Sequence, residues 1–303
     1  MPPTLGPVRT LGATGVAVPL VGYGTAPLGK EDITRERAVR CLNYAIDRGI
    51  TYLDTSPDYG SEPHVGAVLR DRRAEVFVAT KVNRRSAAGA LDELRESLGR
   101  LQTDHVDLVQ IHAVNTWADL EQALAPDGVL AGLERARDEG LTRFIGITGH
   151  ARPDILGHAL TERRFDTVLC ALGVADRLVT SPETFLLPRA VERNVGVVAM
   201  KVLGHGAVEA RDLALRYSLG LPGVSLAIVG LKSPAEIDEI VDYAARYQPL
   251  AEGELGRLID QVRPIVERDA QESKEQGQST LFWLHDTTVM GWQEHDEPAL
   301  VAY

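Results

Sequence analysis

Cysteine, aromatic side chains and long apolar runs are scarce in this chain of 303 residues. Its two cysteines, Cys41 and Cys170, each lie in an apolar stretch without metal-ligand spacing, which favours buried free thiols over a disulfide framework or a zinc site. No segment approaches the roughly 20 apolar residues that cross a bilayer, and residues 1–12 lack a basic flank followed by an apolar run. We therefore expect a cytoplasmic protein without a membrane partner.

Clusters of positive charge are lacking as well. The formal net charge is −11 at pH 7, and no block is rich in lysine or arginine, which argues against nucleic acids and anionic membranes as partners. Histidines and carboxylates near the C-terminus, such as His285 and Asp296, have no fixed spacing on one element, so we predict no metal site. The expected partners are a small molecule and, as an open alternative, further copies of the chain in a homo-oligomer.

Short apolar runs alternate with amphipathic helical segments along most of the chain. The first core strand is predicted over residues 20–24 and begins eight strand–helix units without a break, of which the sixth helix covers residues 182–194 and the last covers residues 234–247. This alternation predicts a single-domain α/β fold, the (β/α)8 TIM barrel, with a doubly wound sheet as the weaker alternative. A β-hairpin over residues 8–19 is expected to close one end of the barrel.

The chain changes character after the eighth helix. Residues 253–269 predict a further C-terminal helix, and the polar residues 271–280 have the composition of a linker. The aromatic tail, residues 281–303, holds two of the three tryptophans and is expected to pack on the barrel or on a neighbouring subunit. We thus expect a barrel domain over residues 1–270 and a linker with a tail over residues 271–303.

Three successive strand-like runs end on ionisable side chains: Asp54 with Tyr59 close behind it, then Lys81, then His112. A TIM barrel gathers such side chains at the C-terminal ends of its strands. A phenol in water has a pKa of about 10, and an ammonium beside it lowers that pKa while a carboxylate keeps the ammonium charged and oriented. With His112 orienting the substrate oxygen, the four residues predict that a carbonyl oxygen takes a proton while its carbon takes a hydride.

The same stretches resemble the signature motifs of the aldo-keto reductase superfamily. The resemblance rests on residues 53–62 (Leu-Asp-Thr-Ser-Pro-Asp-Tyr-Gly-Ser-Glu), 79–81, 108–112, 144–148 and 228–233, and it runs in register from about residue 8 to about residue 247. It implies a TIM barrel that binds an extended nicotinamide cofactor at its C-terminal face. No Rossmann domain is needed, in agreement with the incomplete glycine fingerprint after the first core strand.

The resemblance implies roles for individual residues. Tyr59 is the general acid/base, Lys81 and Asp54 tune it, and His112 positions the carbonyl. The implied cofactor is NADP, with NAD as the alternative, and Lys232 and Ser233 would face the 2′-phosphate. The residues implied in cofactor binding are Gly22, Thr25, Asp54, Thr148, Gly149, His150, Met200, Lys201, Leu203, Gly230, Lys232, Ser233 and Glu236.

Three positions depart from the family pattern. Gly149 stands where the family usually has Asn, Leu169 where it has Gln, and Met200 where it has an aromatic residue. We predict hydride transfer between nicotinamide and a small aldehyde, ketone or sugar. Two alternatives stay open, an NAD-linked sugar or alcohol dehydrogenase working in the oxidative direction and a redox-sensing subunit that binds the cofactor without turnover. Substrate choice is expected to depend on two loops over the barrel mouth, residues 113–128 and 173–181, and on the tail.

Overall fold

Eight parallel strands close into a barrel in this computed structural model, which describes residues 7–276 and residue 281. A two-stranded antiparallel hairpin precedes the barrel. The strands are, in chain order, the hairpin strands β1 (Arg9–Thr10) and β2 (Ala17–Val18) and the barrel strands β3 (Val21–Gly24), β4 (Tyr52–Asp54), β5 (Phe77–Val82), β6 (Val106–Ile111), β7 (Thr142–Gly149), β8 (Thr167–Ala171), β9 (Gly196–Met200) and β10 (Val224–Gly230). Strand β10 pairs with β3 and closes the barrel, so the predicted (β/α)8 fold is confirmed.

Helices cover the outside of the barrel. They are α1 (Arg35–Asp47), α2 (Glu62–Arg72), α3 (Ala87–Leu101), α4 (Trp117–Leu124), α5 (Val129–Asp138), α6 (Pro153–Glu162), α7 (Val174–Val179), α8 (Pro182–Phe185), α9 (Leu187–Glu192), α10 (Arg211–Gly220), α11 (Pro234–Ala245) and α12 (Glu254–Gln276). Since helices cover one face of the strands and side chains fill the other, the strands are almost entirely buried. None of the helices in the described residues is long and apolar enough to cross a membrane.

The barrel interior is a separate apolar cluster that the hairpin closes from below. Its strand residues include Tyr52, Phe77 and Leu169. From the hairpin, Leu11 and Val18 join the same cluster. The hairpin therefore lies at the N-terminal end of the barrel and leaves the C-terminal mouth open, as expected.

Three local features differ from the sequence prediction. Helices α4 and α7 lie in segments that we expected to be loops, and α4 is fastened by a capping box between Thr116 and Asp119. The single helix expected over residues 182–194 is divided at Leu186 into α8 and α9. Pro188 stands in the first turn of α9 and has no N–H to donate, which explains the interruption.

The C-terminal helix is longer than predicted. Helix α12 continues to Gln276, so residues 271–276 of the expected linker are helical, since glutamate, lysine and glutamine favour a helix. Residues 277–280 and 282–303 lie outside the described residues, and the packing of the tail stays a prediction. Leu281 is buried, and its backbone N–H donates to Oδ1 of Asp269 on α12 at 2.9 Å.

Both cysteines are buried free thiols, as predicted. Cys41 lies on α1 and Cys170 on β8. Burial raises the pKa of each thiol. Neither is therefore a reactive thiolate at neutral pH.

Candidate active site

A buried ion pair lies at the C-terminal ends of β4 and β5. Nζ of Lys81 is 2.5 Å from Oδ1 of Asp54, and both side chains are 1% exposed. The ammonium also donates to the carbonyl oxygen of Thr55 at 2.8 Å. Gln110, the neighbour of Lys81 on β6, donates from Nε2 to Oδ2 of Asp54 at 3.1 Å. Both oxygens of the carboxylate are thus engaged, as a buried charge requires.

Tyr59 lies directly over this ion pair. Nζ of Lys81 is 4.7 Å from the centroid of the Tyr59 ring. Burial raises the pKa of Tyr59, the Lys81 charge opposes this rise, and the Asp54 charge adds to it. Lys81 therefore lowers the pKa of Tyr59, as the sequence predicts, but burial raises it by more. Tyr59 is a protonated phenol at neutral pH.

The partners of Lys81 raise its pKa and so favour the charged ammonium. Burial alone would lower the pKa of Lys81, but the Asp54 carboxylate and the Tyr59 phenol raise it, and the net direction is upward. Lys81 is consequently an ammonium at neutral pH. The site therefore holds a neutral phenol next to a cation.

The Tyr59 backbone is fixed by close packing against a second turn. Tyr59 ends a short 3-10 turn, and the following Gly60 has a φ of 72°, which suits glycine. Gly29 lies against this turn so closely that a Cβ at position 29 would overlap the carbonyl oxygen of Tyr59. The turn that carries Tyr59 therefore requires the absence of a side chain at position 29.

His112 follows β6 and faces the same space. Its ring centroid is 6.2 Å from that of Tyr59, with the rings edge to face. Burial lowers the pKa of His112 and outweighs the opposing charge of Asp58. The next residue, Ala113, has a φ of 52°, and Nη2 of Arg85 holds this strained turn by donating to the His112 carbonyl oxygen at 2.7 Å. The four residues predicted from the strand ends thus lie together at one side of the mouth.

Two further polar residues contact this group and were not predicted. Oδ1 of Asn83 is 2.7 Å from Nδ1 of His112, and Oδ2 of Asp58 is 3.3 Å from the same nitrogen. Asn83 also donates from Nδ2 to Oδ1 of Asp58 at 2.7 Å. Their only sequence signal is proximity, because Asp58 precedes Tyr59 and Asn83 comes two residues after Lys81.

The end of β7 is tightly packed. Oγ1 of Thr148 accepts the N–H of Ala113 at 2.8 Å, and its carbonyl oxygen accepts the N–H of Val114. A Cβ at Gly149 would come within 2.7 Å of the Val114 carbonyl oxygen, so a side chain cannot stand there without movement. Thr148 therefore holds the loop that follows His112, and Gly149 leaves room for it.

His150 comes directly after β7. Its backbone N–H donates to Oδ1 of Asn115 at 2.9 Å, and its ring centroid is 6.4 Å from that of His112. Among the described residues, the buried Nδ1 of His150 has no hydrogen-bond partner. Burial, with help from the Lys201 charge, places the pKa of His150 well below its ordinary value. His150 is thus a neutral ring with an unsatisfied nitrogen at the barrel mouth.

A second lysine stands at the end of β9. Met200 closes the top of the apolar barrel interior, and Lys201 follows it with a φ of 61°. Nζ of Lys201 is 2.6 Å from Nε2 of His205. Burial lowers the pKa of Lys201 to about 8 against the opposing charge of Asp176, and it lowers the pKa of His205 to about 4. Leu203, between the two, is half-buried and packs on the neighbouring core.

The loop after β10 leads into helix α11. A Cβ at Gly230 would come within 2.7 Å of Pro27, so the backbone passes close to the β3 side of the mouth. The Ser233 hydroxyl caps α11 by accepting the N–H of Glu236 at 3.3 Å. In return, Oε2 of Glu236 accepts the N–H of Lys232 at 2.6 Å. A carboxylate thus occupies the loop where a phosphate was predicted.

Two residues at the β3 side of the mouth that were predicted to contact the cofactor have structural roles. Gly22 faces the barrel interior, where a Cβ would come within 2.9 Å of the Tyr52 ring. Thr25 is fully buried, and its hydroxyl donates to the Asp54 carbonyl oxygen at 2.9 Å and shares a hydrogen bond with Ser61. Gly22 therefore makes room inside the barrel, and Thr25 fixes the backbone of Asp54. No cluster of metal-ligating side chains occurs in the part of the chain that the structure describes.

Comparison with known proteins agrees with this geometry. Residues 20–213 match the model of the aldo/keto reductase family. The chain is similar to L-galactose dehydrogenase from Arabidopsis thaliana, with 29% identity over 310 residues that cover 86% of this chain and 94% of the relative. It is 33% identical over 230 residues to D-threo-aldose 1-dehydrogenase from a Pseudomonas species, covering 64% of this chain and 68% of the relative.

Among solved structures, the fold is similar to that of an aldo/keto reductase from Klebsiella pneumoniae in complex with NADP and acetate. The TM-score is 0.69 and the sequence identity 25%, and the match covers 82% of this chain and 93% of the other.

Proposed function

This chain belongs to the aldo/keto reductase family, and from that premise we propose that it transfers a hydride between NADP and a small aldehyde, ketone or sugar, with Tyr59 as general acid/base. The observation that carries the proposal is the ion pair of Lys81 and Asp54 buried beneath the Tyr59 ring. A phenol that exchanges a proton needs a fixed cation beside it, whereas a phenol that only packs does not.

The chemistry of the four residues follows from their positions. When bound, a reduced nicotinamide supplies the hydride that the carbonyl carbon takes up. Tyr59 donates its phenolic proton to the carbonyl oxygen, which leaves a phenolate next to the ammonium of Lys81. Lys81 stabilises that phenolate, and Asp54 keeps Lys81 charged and aimed. In the oxidative direction the same phenolate accepts the proton of the alcohol.

The remaining strand ends fit a dinucleotide. The unsatisfied Nδ1 of His150 suits a polar group of the cofactor, since a buried nitrogen without a partner is costly. Lys201, an ammonium below a pH of about 8, suits the anionic diphosphate. Gly204 and Gly206 follow with φ values of 54° and 92° and bare backbone, which allows close approach. These residues would hold the cofactor across the C-terminal face.

Two observations bear on the choice between NADP and NAD. The Klebsiella protein in complex with NADP supports NADP. The carboxylate of Glu236 on the Lys232 amide favours a 2′-hydroxyl, because a 2′-phosphate at that place would meet a negative charge. We propose NADP as the cofactor and NAD as the alternative that Glu236 permits.

A second candidate direction is the oxidation of a sugar. Both relatives described above are named as dehydrogenases of sugars, and this supports an enzyme that oxidises a sugar hydroxyl and reduces the cofactor. A redox-sensing subunit without turnover is less well supported, since sensing does not require the ion pair beneath Tyr59.

The test is an assay of the purified chain in both directions. NADPH or NADH is offered with a panel of small aldehydes and ketones, and NADP or NAD with a panel of sugars, while absorbance follows the reduced cofactor. In Tyr59→Phe, kcat is expected to fall by about 10²–10⁴-fold, which is the usual contribution of a general acid.

Tyr243→Phe is the matched control, because the Tyr243 hydroxyl donates to Glu239 on α11, away from the barrel mouth. Full turnover in Tyr59→Phe would contradict the proposed role of Tyr59. Cofactor binding without turnover across both panels would instead favour the sensing subunit.

A further inference from the structure

The loop after β9, residues 201–208, packs against Leu281, a residue that follows helix α12 in the chain. We propose that Leu281 is a positioning residue of the cofactor site, which packs beneath this loop and holds its backbone in the form that receives the cofactor diphosphate. The role of the loop in cofactor binding rests on the proposed function. The support that Leu281 gives to the loop belongs to the protein alone and can be tested without a cofactor.

Leu281 is fixed through both its side chain and its backbone. The side chain is 1% exposed and belongs to an apolar cluster on α7, α10 and α12, which includes Val174, Ala214 and Leu258. The backbone N–H donates at 2.9 Å to Oδ1 of Asp269, a buried residue of α12. A carboxylate that accepts a backbone N–H makes one of the stronger hydrogen bonds of a protein. Leu281 is therefore held at a defined place on the surface of α12.

The same cluster reaches the loop after β9. Val208, at the end of the loop, is a member of the cluster and is buried. A Cβ at Gly204 would lie 3.2 Å from Cγ2 of Val208 and 3.8 Å from Cδ2 of Leu281. Leu203 packs both on this cluster and on the neighbouring barrel core. The base of the loop is thus packed on Leu281 and its neighbours.

The tip of the loop is open to solvent. Gly206 is exposed, whereas Gly204 and Val208 are buried. The loop follows the C-terminal end of β9 and therefore lies at the barrel mouth, where the cofactor is proposed to bind. The loop consequently presents bare backbone at the mouth, while its base packs on the cluster that contains Leu281.

The loop backbone is strained and needs support. Lys201 and His205 have φ values of 61° and 54°, in the left-handed region that side chains rarely adopt. Such a backbone persists only where the surrounding structure holds it. The amides of Gly204, Gly206 and Val208 donate to carbonyl oxygens of the same loop. These bonds fix the shape of the loop, and packing on the cluster fixes the loop to the barrel.

A shorter side chain at position 281 should lower the fraction of molecules whose loop can bind. The apparent Kd equals the intrinsic Kd divided by that fraction. If about one molecule in ten stays competent, the Kd for NADPH rises roughly tenfold. Tyr59 and Lys81 lie on the other side of the mouth, so kcat at saturating cofactor should not fall. A role in the chemical step would lower kcat as well.

Hydrogen exchange in the cofactor-free, full-length chain tests the support itself. In Leu281→Ala, the amides of residues 204, 206 and 208 should exchange roughly tenfold faster than in the native chain, because the loop opens more often. The matched control is Leu69→Ala, since Leu69 is 2% exposed on α2, which connects β4 and β5 on the far side of the barrel from β9. It should leave the exchange of these amides unchanged. Unchanged exchange in Leu281→Ala would overturn the inference, whether or not the chain binds a cofactor.

Fluorescence titration with NADPH, and separately with NADH, tests the role in binding. The Kd should rise roughly tenfold in Leu281→Ala and stay native in Leu69→Ala. Leu281→Met keeps the side-chain volume and should restore the native Kd. Faster loop exchange with an unchanged Kd would overturn the positioning role. Absence of binding in the native chain would overturn that role together with the proposed function, whereas the exchange experiment alone decides whether Leu281 supports the loop.

A milder variant covers the case in which Leu281→Ala does not fold. Leu281→Val removes a single carbon from the same contact. Loop exchange and the Kd should then change in the same direction by a smaller factor, severalfold rather than roughly tenfold. If neither quantity changed in Leu281→Val, the inference would be overturned.

Discussion

The pKa values of two lysines at the barrel mouth are shifted in opposite directions. Lys81, on β5, is 2.5 Å from the carboxylate of Asp54, and its pKa is raised. Lys201, after β9, is 2.6 Å from the imidazole of His205, and its pKa is lowered to about 8. Burial disfavours the charge of both ammonium groups. At Lys81 the Asp54 carboxylate and the Tyr59 phenol outweigh burial, whereas at Lys201 burial outweighs the charge of Asp176.

The difference assigns different tasks to the two sides of the mouth. On the Lys81 side, the charge is present at neutral pH and is matched within the protein, as catalysis at a fixed point requires. On the Lys201 side, the charge depends on pH, because burial lowers the pKa of this lysine to about 8 against the opposing charge of Asp176. We propose that the Lys81 side carries the chemistry and that the Lys201 side faces the cofactor.

The largest effect is expected from Lys81→Met, which removes the ammonium and leaves Asp54 as an unpaired buried carboxylate. The free energy of unfolding should fall by about 3–5 kcal/mol, and turnover should be lost. Urea unfolding and the reductase assay measure the two effects. Lys30→Met, at an exposed position, is the control. If Lys81→Met kept the stability of the native chain, the buried carboxylate of Asp54 would not depend on Lys81 for its stabilisation.

An intermediate effect is expected from the pH dependence of cofactor affinity. Below a pH of about 8 Lys201 is an ammonium and attracts the anionic diphosphate, and above it the amine is neutral. The affinity for NADPH should therefore fall as pH rises through about 8, by roughly tenfold for one charge–phosphate contact. Fluorescence titration at a series of pH values measures this change.

His205→Asp makes the Lys201 side resemble the Lys81 side. The new carboxylate raises the pKa of Lys201, and aspartate tolerates the left-handed backbone at this position, where φ is 54°. The fall in affinity should move to a higher pH, although the added negative charge weakens binding at every pH. His158→Asp, at an exposed position on α6, should leave the profile of the native chain. If the pH profile of His205→Asp were not shifted, Lys201 would not be the group whose titration changes the affinity for the cofactor.

The smallest effect is expected from Glu236→Gln. Removing the carboxylate on the Lys232 amide should increase the affinity for NADP severalfold and leave the affinity for NAD almost unchanged. A thermal-shift titration with each cofactor measures the two affinities, and Glu252→Gln, which is exposed, is the control. An equal change for both cofactors would show that Glu236 does not face the 2′ position.

Strand ends were the most predictable part of the site. Asp54, Lys81 and His112 each follow an apolar run, and a parallel barrel must bring such positions to one face, so their proximity follows from the topology. Asp58 and Asn83 were missed because their pairing depends on two loops that meet across 25 residues of sequence. Neither loop has a periodicity from which that contact could be predicted.

The net direction of the pKa shifts could not be predicted from the sequence either. Lys81 lowers the pKa of Tyr59 as expected, but the extent of burial, which decides the sign, is a property of the packed mouth. The same holds for Glu236, whose carboxylate could have pointed to solvent and instead accepts the Lys232 amide. Composition likewise misjudged residues 271–276, because helix formers and linker residues are both polar.

Gly29 has a consequence for how tolerant the chain is to mutation. A side chain there would overlap the Tyr59 carbonyl oxygen, so even alanine must displace the turn that carries the phenol. In a saturation scan selected for turnover, position 29 should be as intolerant as Tyr59 itself, although its own atoms take no part in the reaction. Gly256, whose missing Cβ has no neighbour within 4 Å, should accept most replacements in the same scan.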